Sequence, residues 1–203
     1  MLLTIHPDDP QDRLIKKVAD CLRQGGVIIY PTDTIYGIGC DIYQEKAVEK
    51  VCRIKNVDPK KANFSFICRD LSHLSDFTRN IANPIFRMLK NTLPGPYTYI
   101  MDASKEVPRI MKNKKNTIGI RVPANNICAA ILEELGHPIM STSLPMEVDV
   151  EYFTDPEIIN EQFSHLVDMV IDGGAGHLIP STVVDCTGDL PQLIREGAGA
   201  FEY

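Results

Sequence analysis

Three hydroxyls and a carboxylate, from Thr32, Thr34, Tyr36 and Asp33, crowd one turn of the stretch GGVIIYPTDTIYGIG at residues 25–39. So many hydrogen-bonding groups at the end of an apolar run suit ligand recognition. They equally suit a turn that caps itself through its own side chains. Residues of the same kinds recur further on. Arg121 ends TIGIR, and Ser141, Thr142 and Ser143 end PIMSTS. Ser181 and Thr182 open STVVD after glycines 173, 174 and 176, and Arg195 precedes Gly197 and Gly199 in IREGAG. In α/β sheets ligands gather where strands end. Hydroxyls, glycines and two guanidiniums at separate strand ends are what a pocket for phosphate and an amino acid requires. Glycines let backbone N–H groups approach anionic oxygens, and a guanidinium pairs with carboxylate or phosphate as a fork. No Walker lysine follows a glycine loop and no G-x-G-x-x-G is present, so neither common nucleotide fold is indicated.

These residues need elements to position them. Asp9-Pro10, Asn83-Pro84 and Asp155-Pro156 each pair a capping side chain with proline at a helix start. After the first, Leu14, Ile15, Val18, Ala19 and Leu22 recur at helical spacing before Gly25-Gly26. Further helices are predicted over 44–54, after Pro84 and over 126–135. Between them lie short β-like runs: 27–30, 63–68, 97–101, 117–122, 138–142, 166–171, 182–185 and 192–195. Strands alternating with helices predict an α/β domain. The later strands follow one another with little helix between them, which predicts a mixed rather than a purely parallel sheet.

Composition bounds the function. At 203 residues the chain predicts one domain with one buried core, and 44% hydrophobic with 24% charged residues is ordinary for a soluble globular protein. No uncharged run reaches the length of a membrane span and the first residues lack the pattern of a signal peptide, so a cytoplasmic protein away from membranes is expected. The six cysteines are widely spread with no C-x-x-C. They read as reduced small hydrophobes, and with scattered histidines no protein-bound metal is expected. A net charge of −6 argues against indiscriminate nucleic-acid binding. Yet Lys105, Arg109, Lys112, Lys114, Lys115 and Arg121 face only Glu106 across residues 105–121, while 147–172 carries eight acids and no Lys or Arg. A local basic surface of this kind suits a nucleotide or an RNA backbone. It also suits a solvated lysine loop.

GGVIIYPTDTIYGIG, LPGPYT at 93–98, TIGIRVP at 117–123, STS at 141–143, STVVD at 181–185 and IREGAG at 194–199 occur in the order and spacing of the YrdC-like family. The resemblance spans 10–200 as one YrdC-like domain, with 1–9 and 201–203 as terminal segments. It implies a twisted, mostly mixed sheet flanked by helices around a basic cavity. It also implies the reaction of threonylcarbamoyl-AMP synthases. L-Threonine, bicarbonate and ATP, which carries its own Mg²⁺, give threonylcarbamoyl-AMP (a threonylcarbamoyladenylate) and pyrophosphate. A partner transferase then moves the threonylcarbamoyl group to adenosine 37 of tRNA. Position by position, the resemblance places Thr34, Arg121, Ser141 and Ser181 around threonine, with Arg121 on its carboxylate. It places Thr117, Ser143 and Arg195 on the nucleotide and Lys55 as the catalytic cation, with Gly37 and Gly39 admitting close backbone approach.

Two positions depart from the synthase pattern. Its K-x-R reads Lys55-Asn56-Val57 here, and its S-x-N reads Ser143-Leu144-Pro145. With NFSFICRDLS at 63–72 and KEVPR at 105–109, the chain looks most like the YciO branch, without the extra C-terminal domain of the longer synthases. Arg53, Lys60 and Lys61 are nearby cations that can stand in for the missing arginine. The implied chemistry needs charge neutralisation and alignment rather than a nucleophilic side chain, and one lost cation lowers the rate about 10²-fold or more. Two other readings stay open. One is an enzyme acting on a related carbamoyl-adenylate or modified nucleoside, including in the hydrolytic direction. The other is a YciO-type protein binding double-stranded RNA or tRNA through the basic rim.

Overall fold

The apolar stripe of residues 14–22 forms helix α1 (Asp12–Arg23) in the computed structural model, which describes residues 1–59, 62–145 and 154–202. The helix starts later than Asp9-Pro10 suggests. His6 Nδ1 accepts from the backbone N–H groups of Asp8 and Asp9, which holds those residues in a separate turn and leaves Gln11 at the N-cap. Helix α2 (Glu45–Ile54) follows the predicted span. Asp70 accepts from His73 N and starts a short helix with no counterpart in the sequence reading, α3 (Leu71–Phe77). Helix α4 (Asn83–Thr92) takes Asn83 into its first turn, with Ala82 at the cap and no capping side chain. Asn125 caps α5 (Asn126–Leu135), which ends at Gly136 with φ of +83°, a conformation that suits glycine. Asp155 caps α6 (Pro156–Phe163) as its Asp-Pro pair predicts. None of these helices is long and apolar enough to cross a membrane.

Ten strands among the described residues form one mixed sheet. They are β1 (Leu2–Thr4), β2 (Val27–Tyr30), β3 (Gly37–Asp41), β4 (Ser65–Ile67) and β5 (Tyr97–Asp102). The others are β6 (Thr117–Arg121), β7 (Ile139–Ser143), β8 (Met169–Asp172), β9 (Thr182–Asp185) and β10 (Gln192–Arg195). Their spatial order is β1-β8-β2-β3-β7-β4-β6-β5-β9-β10. The opening residues are thus part of the sheet, since Leu2 pairs in parallel with Val170. Residues 37–39, read as the end of a turn, instead return as β3 antiparallel to β2, with Tyr30 opposite Gly37 and Ile28 opposite Gly39. A Cβ on Gly39 would stand 2.4 Å from Met140 O and 3.1 Å from the Tyr30 ring, so this glycine lets strands pack rather than a ligand approach.

The helices divide unequally between the two faces. Apolar residues of α2, α3, α4 and α6 share one core with Tyr99, Met101, Ile118, Ile120 and Val184. On the opposite face α1 and α5 pack on Ile28, Tyr30, Ile67, Ile139 and Ile171. That second core contains no residue of β5, β6, β9 or β10, so among the described residues no helix covers that half of the face. All six cysteines are unpaired, and five are buried among apolar neighbours.

Candidate functional site

Successive strand residues point to opposite faces, and β6 uses both. Ile118 and Ile120 are buried in the four-helix core, while Thr117, Gly119 and Arg121 turn to the uncovered side. The same alternation brings Thr98 and Ile100 of β5 and Val183 and Asp185 of β9 onto that side, beside Ser65, Ser141 and Ser143. Together they line a cleft of about 720 Å³. The cleft therefore takes in the strand ends where sequence reasoning put it, at Arg121, Ser143 and Arg195, and extends across the sheet face to Thr98, Ile100 and Gly119. The half-helical cover leaves the middle of strands accessible.

Arg121 anchors one side of the cleft. Its Nη2 donates to Asp33 Oδ1 and to Thr34 Oγ1, both at 2.9 Å, and its side chain is only 11% exposed. Asp33 Oδ2 accepts from Ala124 N at 3.0 Å, which fixes the carboxylate in turn. The Nε–H of Arg121 is buried and has no partner among the described residues. A buried charged donor without an acceptor is costly, and here it belongs to a residue that lines the cleft. Arg195 lines the cleft as well and donates from Nη2 to Ser181 O at 2.8 Å. Burial lowers its pKa, and the nearby Arg121 guanidinium lowers it further. Arg195 sits opposite Val183, and Val183 opposite Thr98. Arg121 follows Ile120, the partner of Tyr99, so both arginines belong to one cross-strand row. Two like charges aimed into one cleft favour an anion between them.

The hydroxyls are already oriented. Tyr30 OH donates to Ser141 Oγ at 2.5 Å, which leaves the serine proton available to the cleft. Ser181 Oγ and Thr98 Oγ1 lie 2.8 Å apart. Thr32 Oγ1 donates to Ile35 O, so the 3.1 Å contact between Thr32 and Thr34 is a donation from Thr34. Thr34 thus gives one hydrogen bond to Thr32 and receives one from Arg121, and it is fully buried. It backs the cleft rather than lining it. Asn113 accepts from Thr117 N at 3.0 Å and, with Lys115, brings the basic loop to the cleft wall.

Lys55, at the C-cap of α2, does not line the cleft itself and reaches the lining residue Ser143. Its Nζ donates to Ser143 O at 2.8 Å and to Leu144 O at 3.2 Å, and burial lowers its pKa. It therefore ties together the two stretches that depart from the synthase pattern, Lys55-Asn56-Val57 and Ser143-Leu144-Pro145. Val57 is 38% exposed and Arg53 is exposed on α2, whereas Lys60 and Lys61 lie outside the described residues. Gly197 and Gly199 do not present their N–H groups to the cleft. Both donate to Thr182 Oγ1, at 3.0 and 3.1 Å.

Several lining residues had no assignment from sequence: Ser65, Thr98, Asn113, Asp185 and Thr187. The signal for Thr98 and Asp185 was present. Thr98 alternates with the core residues Tyr99 and Met101, and Asp185 follows the core residue Val184, so each stands on the face opposite them. Asp33, noticed only as a turn carboxylate, proves to be the partner of an arginine 88 residues away. Among the described residues, no three of His, Cys, Asp and Glu are grouped to hold a metal ion.

Comparison with known proteins agrees with this architecture. The family model of Sua5, YciO and YrdC, described as telomere recombination, matches residues 20–197. E. coli YciO, an uncharacterised protein, is 46% identical over 196 residues, covering 96% of this chain and 94% of that protein. Its crystal structure superposes with a TM-score of 0.92 over 98% of this chain and 97% of that one. A threonylcarbamoyl-AMP synthase of Coxiella burnetii is 32% identical over 187 residues, 91% of this chain and all of that protein. P. abyssi Sua5, crystallised with L-threonine, superposes with a TM-score of 0.86 at 25% identity, covering 97% of this chain and 57% of the longer one. With a family match over most of its length and relatives sharing its sheet, the chain belongs to the Sua5/YciO/YrdC family.

Proposed function

We propose that the cleft binds L-threonine and ATP and joins them, with bicarbonate, into threonylcarbamoyl-AMP. The observation that carries this reading is the pair of guanidiniums, Arg121 and Arg195, that line one cleft and act on each other. The relatives named as threonylcarbamoyl-AMP synthases and the threonine complex of P. abyssi Sua5 support it. In this reading the threonine carboxylate accepts from Arg121, and Ser141 and Ser181 hold the amino-acid side. Threonine's amine and bicarbonate lose water to form a carbamate. A carbamate oxygen attacks the α-phosphate of ATP, the bond to the β-phosphate breaks, and pyrophosphate leaves. Arg195, Thr117 and Ser143 take the nucleotide, whose phosphates bring Mg²⁺ with them, and Lys55 stands by the rim next to Ser143. The protein's contribution is alignment and charge neutralisation. The product then passes to a transferase acting on tRNA.

The test is incubation with ATP, Mg²⁺, bicarbonate and L-threonine, followed by pyrophosphate assay and product mass analysis. Threonine-dependent pyrophosphate with the adduct mass is expected; release no greater than in the threonine-free control overturns the reading. A second reading rests on the exposed Lys105, Arg109, Lys114 and Lys115, the last of which lines the cleft. A rim of this charge suits structured RNA, and RNA binding that weakens steeply with salt, without turnover, supports it.

A further inference from the structure

Asp185 is out of place by charge. It lines the same cleft as Arg121, Arg195 and Lys115, where a second anion repels phosphate and carboxylate alike. Its orientation is nevertheless fixed. Oδ1 accepts from Thr187 N at 2.9 Å and from Thr187 Oγ1 at 2.7 Å. Asp185 itself stands opposite Ile100 on the next strand. Two residues along β9 from Val183, it lies about 7 Å beyond the row that carries the two arginines. A nucleotide whose phosphates are held at Arg195 in that row places its sugar at this distance.

We propose that Asp185 is the residue that recognises the ribose of the nucleotide, accepting from its 2′- and 3′-hydroxyls, with Thr187 as the residue that positions it. This deepens the proposed function and rests on it. Hydroxyl donation to a carboxylate is a strong, charge-assisted hydrogen bond, and a vicinal diol offers two donors to one acidic group. The competing donor in the reaction, threonine's amine, is a poor match. A carboxylate partner would hold the amine as ammonium, and it must be neutral to combine with bicarbonate. The cleft thereby acquires a preference for ribonucleotides that its arginines alone cannot provide.

Calorimetric titration of the whole protein with Mg²⁺-bound ATP, 2′-deoxy-ATP and 3′-deoxy-ATP tests the assignment. ATP is expected to bind about tenfold or more tightly than either deoxy form. Asp185→Asn should bring the three affinities together, with unchanged threonine affinity and a melting temperature that shows a folded protein. Thr187→Val keeps the carboxylate but frees it, and should give an intermediate preference. Equal affinities in the native protein, or a full preference surviving in Asp185→Asn, overturn this assignment alone. Failure of all three nucleotides to bind overturns the nucleotide reading, and this assignment with it.

Discussion

At Arg121 the charge balance is unusually one-sided. Asp33 and Thr34 occupy Nη2, while the buried Nε–H has no partner among the described residues. A lysine in its place would keep the charge near Asp33 but lose the planar, many-donor geometry. Arg121→Lys should therefore weaken L-threonine binding about tenfold or more, roughly 1.4 kcal/mol, while melting within a few degrees of the parent. Unchanged calorimetric affinity would remove Arg121 from the amino-acid site. The arginine was legible in TIGIR, because a cation at the end of an apolar run invites a ligand. Its neighbours were less so. Thr34 was expected at the ligand and stands behind Arg121, since which hydroxyl faces outward depends on a pairing 87 residues apart. No local pattern records a contact of that range.

Among the elements, the strands that read best were apolar runs, and all eight such runs contain a strand. The ones missed had a physical reason to be obscure. β3 contains Gly37 and Gly39, which ordinarily punctuate a chain, yet their missing side chains are what admit the Tyr30 ring and the β7 backbone. β1 has only three residues and α3 only seven, too few for periodicity to show. The glycines of IREGAG were read as ligand-facing and instead wrap Thr182. This buried hydroxyl donates to Gly199 O and accepts from Gly197 N and Gly199 N. Thr182→Val keeps the shape but strands two N–H groups and a carbonyl, at about 1–3 kcal/mol for each group left buried without a partner. The variant should melt several degrees lower, and nucleotide affinity should fall with it because Arg195 is in the same segment. An unchanged melting temperature would show that water or a shifted loop replaces the hydroxyl.

For the molecule as a whole, the two stretches that depart from the synthase pattern are tied together. Lys55 reaches from one to the carbonyls of the other. Val57→Arg returns a cation at an exposed position, and Pro145→Asn returns an amide donor next to Leu144, whose carbonyl Lys55 reaches. Because both would act on the same phosphates, their effects should not add. The double variant is expected to raise threonine-dependent pyrophosphate release above the parent, with each single variant raising it less. No gain in a folded double variant, in an assay where an established synthase is active, would mean that the cleft serves another substrate. The half-covered sheet has a further consequence, for how such a chain can change over time. In β6 the odd residues Thr117, Gly119 and Arg121 line the cleft, and the even residues Ile118 and Ile120 hold the core. Point substitutions can rewrite one set and leave the other intact, so chemistry can drift while the fold stays put. Loss or gain of a single residue within the strand is different. It would exchange the two sets, driving a guanidinium into the apolar core and two isoleucines into the cleft. Strand length, more than strand composition, is what this architecture must conserve.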